Sequence, residues 1–262
     1  MSLYLSIRAL ECLLALSLLI QTLEFLRLKN FSDAISVWSW DVQRKDVSHA
    51  PSWMQAGFNW LFGERVHHTH LLLRAGAAAS LFIGASPASS VFLFISTLII
   101  LIRWRGAFNG GSDFMTIVVL TGLLVSQLAQ PFLGPVVAWK AGLWYITIHA
   151  ITSYFISGAI KLLSPEWRDG RMLTHFLDGG LYGPLTTDSL FRHRSVAVLA
   201  SWSFIVWECL FPIALAGPWW AIHWCAVAAI FHFLVFRFFG LNRFFWAWSA
   251  SFPAIVYCSG QW

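Results

Sequence analysis

Charge is what this sequence has least of. Asp, Glu, Lys and Arg make up 11% of the 262 residues and hydrophobic residues 58%, whereas a typical soluble domain is about a quarter charged. That balance excludes an ordinary water-soluble globule. Cysteine is sparse as well: Cys12, Cys209, Cys225 and Cys258 have no CxxC spacing and stand in apolar surroundings. They read as small core residues, neither a disulfide frame nor a zinc site. A GxSxG elbow, a P-loop, a dinucleotide fingerprint and a CxxCH haem signature are all absent. The basic residues are scattered over polar connections instead of forming one face, which argues against nucleic acid as a partner. No repeat of fixed period and no low-complexity tract appears, so one domain over 1–262 is expected.

What the sequence has in plenty is apolar runs and tryptophan. Measured against the ~20 apolar residues a bilayer requires, about eight spans are expected. They lie near 3–28, 69–85, 89–102, 114–137, 140–163, 196–216, 219–236 and 241–257. The predicted fold is therefore an all-α polytopic integral membrane protein. The first run is too long for a signal-peptide h-region and lacks a basic start, so it reads as a retained helix. The sixteen tryptophans suit a chain with much headgroup-level surface. The polar stretches 28–68 and 164–195 are expected to be interfacial connections, the first a loop or an amphipathic helix lying on the membrane.

If the spans alternate, nearly all Lys and Arg residues fall at one end, from Arg27 and Arg44 through Arg168, Arg192 and Arg243. Arg8 and Lys140 stand at the other, and Arg74 lies within a span. The positive-inside bias then predicts both termini on the non-cytoplasmic side and the two long connections in the cytoplasm.

Four groups of polar residues interrupt the apolar background. Lys161 closes the fifth run, with Gly158, Ser157 and Tyr154 three, four and seven residues before it. On a helix they share one face, presenting an amine, a glycine gap, a hydroxyl and a phenol. Partial desolvation would favour the neutral amine, a usable base; the plainer reading is a lysine snorkelling at a helix end. Asn109-Gly110-Gly111-Ser112-Asp113 precedes the fourth run. Its converging amides would accept an anionic oxygen, or simply cap the next helix. Glu208 and His232 fall at membrane depth on adjacent spans, as a proton relay or a structural polar pair. His67-His68-Thr69-His70 has an HxH spacing without converging carboxylate or thiolate partners, so an interfacial histidine cluster is expected and no metal.

Three of these stretches carry a resemblance. Tyr154-Phe-Ile-Ser-Gly-Ala-Ile-Lys161-Leu, followed by Trp167 and Gly170, resembles the signature of the vitamin K-dependent γ-glutamyl carboxylase superfamily. Bacterial members of that superfamily are called HTTM (horizontally transferred transmembrane) proteins. Asn109-Gly-Gly-Ser-Asp113 is similar to the family's Gly-Gly-Asp element. The late run through Glu208, Phe231-His232, Phe239-Gly240, Phe245 and Ala250-Ser-Phe-Pro253 is similar to its Phe-His segment and following helix. The spacing from Lys161 to Trp167 is one residue longer than the family pattern, and the carboxylases' large lumenal domain has no counterpart here.

The resemblance, covering roughly 105–257, implies a carboxylase-like enzyme of the bacterial inner membrane using a membrane quinone or hydroquinone. Lys161 would be the base, with Tyr154 and Ser157 orienting either the amine or a bound substrate. Asn109, Gly110, Gly111 and Asp113 would hold the cofactor oxygen, and Glu208 and His232 would support the site or relay protons. A peptide or small molecule would be modified with the help of partner membrane or peptide-maturation proteins. The competing expectation is a non-catalytic subunit of a larger membrane complex. A transporter is less favoured, since no inverted repeat is visible.

Overall fold

The computed structural model describes residues 1–32, 39–104 and 110–261. Among them every regular element is a helix. A long first helix, α1 (Leu3–Ser32), leads into two short pieces, α2 (Trp40–Gln43) and α3 (Ser52–Leu61). Four longer helices follow: α4 (Glu64–Ser80), α5 (Pro87–Trp104), α6 (Gly110–Leu133) and α7 (Pro135–Leu163). A polar connection carries α8 (Pro165–Arg168) and α9 (Arg171–Asp178). The chain ends with α10 (Arg194–Cys209), α11 (Pro218–Phe239), α12 (Asn242–Ser249) and α13 (Phe252–Cys258).

Five helices among the described residues are long and apolar enough to cross a membrane: α1, α5, α6, α7 and α11. The other three expected spans are shorter, each for a visible reason. The α4 helix has 17 residues and begins with Glu64, Arg65 and three histidines. The α10 helix stops at Cys209, because Pro212 turns the chain into a 3₁₀ segment, Phe211–Ala216. The last run is broken at Ala250-Ser251, where Pro253 starts a new helix. This broken element is not peripheral. Trp248, Ala254, Ile255, Tyr257 and Cys258 are buried in the main core with α1, α7 and α11, where neighbouring helices can satisfy an interrupted backbone.

Successive long helices run between two ends of the bundle. At one end the Arg8 guanidinium donates to the Phe82 carbonyl, Glu11 accepts from the Ala85 amide at 2.9 Å, and Gln127 donates to the Ala85 carbonyl at 3.1 Å. Arg8 and Glu11 also pair with each other, as their spacing suggested. At the opposite end Arg243 meets Glu24 at 3.2 Å, Arg103 donates to Gln43, and the Leu181 amide donates to the Phe238 carbonyl at 2.9 Å. Connection 39–63 lies at this second end. Its helix α3 leaves Trp53 and Trp60 exposed, as an element lying in the headgroup zone would.

The α6–α7 hairpin turns at Gly134, whose φ of 74° is open to glycine and strained for other residues, and Pro135 starts the return helix. Below the turn, Gly142 lies directly against Gly122 and Ser126, leaving no room for a side chain. Small residues allow such approach where lipid supplies no hydrophobic drive. Further down, α7 exchanges α6 for α10. A Cβ on Gly158 would come within 2.6 Å of the Cys209 amide nitrogen and 2.8 Å of Glu208 Cβ. That glycine sets how near Glu208 comes to Lys161.

Candidate functional site

Lys161 and Glu208 meet across the α7–α10 interface. Lys161 Nζ donates to Glu208 Oε1 at 2.8 Å and Oε2 at 2.6 Å, and to Ser157 Oγ at 2.6 Å. Ser157 in turn donates to Glu208 Oε1 at 3.3 Å. The carboxylate side chain is 3% exposed and the lysine 16%, so the ammonium is the accessible member. Its outer side lies over the Trp167 ring, 5.3 Å from the centroid, a favourable placement for a cation. An ion pair this dry requires such complete bonding to offset desolvation.

The pair stands in the wall of a cavity of about 930 Å³. Apart from Lys161, Glu208, His232 and a few hydroxyls, the lining is apolar and rich in phenylalanine, including Phe204, Phe231, Phe238 and Phe244. The space exists because α10 and α11 join through the 3₁₀ segment at one end and diverge toward the other. Phe204 and Phe231, 5.3 Å apart, bridge the wedge.

A flap formed by 171–191 borders its wide end. Leu173, Phe176 and Leu177 of α9 turn inward, while Asp178 ties the flap back on itself. Asp178 accepts from Arg192 at 2.8 and 3.0 Å and from the Leu185 amide at 2.9 Å. The flap starts at Gly170, whose φ of 81° and tight fit against Ala197 and Val198 leave room for glycine alone. Beside it the Arg171 amide and side chain hold the Asp169 carboxyl below the usual carboxylate range.

Tyr154 and His232 also line this cavity, as a second pair. The Tyr154 hydroxyl and His232 Nε2 are hydrogen-bonded at 2.6 Å, and both side chains are almost fully buried. Tyr154 stacks on Phe211 with centroids 3.9 Å apart, and His232 stacks on Trp248 at 5.1 Å. The sequence reading paired Glu208 with His232. In the fold each instead takes its hydrogen-bond partner from α7, Lys161 for Glu208 and Tyr154 for His232. Lys161, Ser157, Tyr154, Glu208 and His232 are thus brought to one cavity.

The glycine-rich turn is placed elsewhere. Asn109 lies outside the described residues; Gly110, Gly111 and Asp113 form the first turn of α6 and do not line the cavity. Gly111 is pressed against the Phe244 ring, and Phe244 also lines the cavity. Asp113 accepts from Gln21 Nε2 at 3.0 Å and lies 3.9 Å from Arg243 Nη1. It belongs to a buried network around Arg74. That fully buried guanidinium donates to Gln21 at 2.7 Å, Thr97 at 2.9 Å, Ser96 at 3.0 Å and Thr22 at 3.2 Å. His70 Nε2 joins the same Ser96 at 2.8 Å. Among the described residues no three His, Cys, Asp or Glu side chains gather as a metal would need.

Sequence reasoning noticed Arg74 as an intramembrane charge but not its partners. Gln21, Thr22, Ser96 and Thr97 are individually ordinary, and only helix packing brings them together. The flap residues Leu173, Phe176 and Leu177 were likewise read as part of a polar connection. Their apolar spacing on a short helix was the available signal.

No protein-family model, curated protein or solved structure matches the chain.

Proposed function

We propose that this chain is a carboxylase-like membrane enzyme that binds a quinol-type apolar cofactor in the α7–α10–α11 cavity and moves protons through Lys161 and Glu208. One observation carries the reading: a buried, fully bonded ion pair forms the polar corner of an otherwise apolar cavity of about 930 Å³. The lining fits such a group, with aromatic walls for a ring and its chain and a single charged corner for one oxygen. A bound quinol supplies an acidic hydroxyl and a ring that oxygen can oxidise.

The chain's own residues account for the proton steps. Lys161 Nζ passes one proton to Glu208 Oε2 and accepts a replacement from a hydroxyl held against Nζ. Afterwards the carboxyl is neutral and the ammonium faces the new oxyanion, a favourable pairing in a dry site. The exchange lets lysine act as a base while starting from its charged form. Ser157 keeps Nζ in position throughout. Tyr154 and His232 form a fixed floor, and the flap supplies apolar side chains at the wide end. The first turn of α6 acts on this cavity through Phe244, not by direct contact.

In the same proposal the chain crosses a bacterial inner membrane eight times. The shorter α4, α10 and the α12–α13 pair complete the crossings made by the five long helices, with both termini non-cytoplasmic. Support comes from the two ends of the bundle, since connections 39–63 and 164–193 lie together at the end rich in Lys and Arg. The substrate would be a peptide or small molecule delivered by partner proteins.

The test is purification in mild detergent, then lipid extraction and mass spectrometry of wild type and Lys161→Ala. A quinone retained by the wild type and lost from the variant is the expected result. A fixed set of partner subunits, without quinone and unaffected by Lys161→Ala, would make the chain a structural subunit instead.

A further inference from the structure

A second crevice lies on the opposite flank of α7 and belongs to no site described so far. Its volume is about 570 Å³, and it is lined by Phe114 of α6 and by α7 side chains from Ile148 to Ile160. It lies farther from the hairpin turn than the contact of Gly122 with Gly142. The helix is one of those apolar enough to cross a membrane, yet its face here carries His149, Thr152, Ser153 and Ser157 among isoleucines. Ser153 and Ser157 line both this crevice and the ion-pair cavity. One ridge of α7 thus separates the two spaces.

Two of the four polar side chains have unused bonding capacity. Ser153 donates to the His149 carbonyl at 2.7 Å, and Ser157 is engaged with Lys161 and Glu208. His149 Nδ1 is 2.9 Å from the Tyr145 carbonyl, so that nitrogen carries the proton and Nε2 is left as an acceptor. No described residue bonds Nε2, and none bonds the Thr152 hydroxyl, which is exposed in the crevice. Unpaired polar atoms facing lipid are costly, and a ligand that donates to them removes the cost.

We propose that this crevice is a second ligand site, for a neutral long-chain amphiphile whose hydroxyl donates to His149 Nε2 and bonds the Thr152 hydroxyl. Several features define that occupant. No charged residue lines the crevice, which disfavours phospholipid headgroups and fatty-acid carboxylates. From Ile148 to Ile160 is twelve residues, about 18 Å of helix, long enough for a chain to lie along α7. His149 is at the middle of α7, a depth that a neutral hydroxyl tolerates better than an ionic group. The inference rests on the crevice alone and not on the quinol reading.

The experiment uses the full chain in phosphatidylcholine nanodiscs and two diazirine-bearing probes of equal length, one ending in a hydroxyl and one in a methyl group. Photolabelled residues are mapped by mass spectrometry. The alcohol is expected to label 148–160 about fivefold more than the methyl-ended chain, the value of roughly one hydrogen bond. Thr152→Val and His149→Phe, which keep shape, should bring the alcohol down to the level of the other probe. Ile156→Trp should suppress labelling by both. Equal labelling by the two probes in the wild type, or an alcohol preference untouched by Thr152→Val and His149→Phe, would identify ordinary lipid contact and overturn the proposal. No catalytic activity or bound quinone enters the readout, so its failure and that of the quinol reading are distinguishable.

Discussion

Lys161 and Glu208 illustrate how a stabilising contact and a functional one can be separated. Removing one partner of a buried pair leaves the other charged and dry, at a cost of about 3 kcal/mol or more. Replacing both with apolar groups of similar size is often neutral. Lys161→Ala should therefore lower the melting temperature in detergent, whereas Lys161→Met with Glu208→Leu should restore it without restoring quinone retention. A double variant that regains both would show that the pair serves stability alone. The sequence pointed to Lys161 because an amine, a hydroxyl and a phenol recur on one helical face. It could not identify Glu208 as the partner, because that choice depends on Gly158 letting α10 approach within side-chain reach.

At the scale of elements, the flap is the least expected part. A polar connection with Gly179-Gly180 and Gly183-Pro184 reads as loop, and period arguments are weak over an eight-residue helix. Asp178 unites it, accepting from Arg192 and from the Leu185 amide together. The ion pair is partly exposed and by itself is worth little, but each partner also holds Leu185: Asp178 accepts from its amide and Arg192 Nη2 donates to its carbonyl at 2.7 Å. Asp178→Ala and Arg192→Ala each remove the pair and one of those bonds. Limited proteolysis between 179 and 189 is expected to accelerate several-fold in both. Unchanged rates in the two variants would place the restraint elsewhere, for instance in the Leu181–Phe238 backbone bond.

For the molecule as a whole, helical class and the positions of most apolar runs were legible in composition and hydropathy. The difficulty lay in runs that are apolar but not straight. Pro212 and Pro253 shorten two of them, and the final run became a broken, central element because its small and aromatic residues pack on all sides. Arg74 looked anomalous for the same reason: its four side-chain partners lie 22 to 53 residues away. The proposed eight-crossing arrangement in a bacterial inner membrane predicts a definite labelling pattern in spheroplasts, with the four native cysteines replaced. Cysteines introduced at Ser86 and Gln261 should react with an impermeant maleimide from outside, and those at Lys45 and Asp188 only after lysis. Labelling of Ser86 and Lys45 from the same side would refute it.

The contact of Gly142 with Gly122 and Ser126 also has a mechanical meaning. It is one of two clamps on α7, the other being Gly158 against Cys209 and Glu208, and it pins the helix at its hairpin end. Lys161 stands nineteen residues beyond it, about 28 Å along the helix. A swing of about 3° at that pivot would carry the amine about 1.5 Å, enough to move it out of bonding range of Glu208. The second clamp opposes that swing. With both in place, the distance between lysine and carboxylate is set by the backbone and not by the two side chains alone.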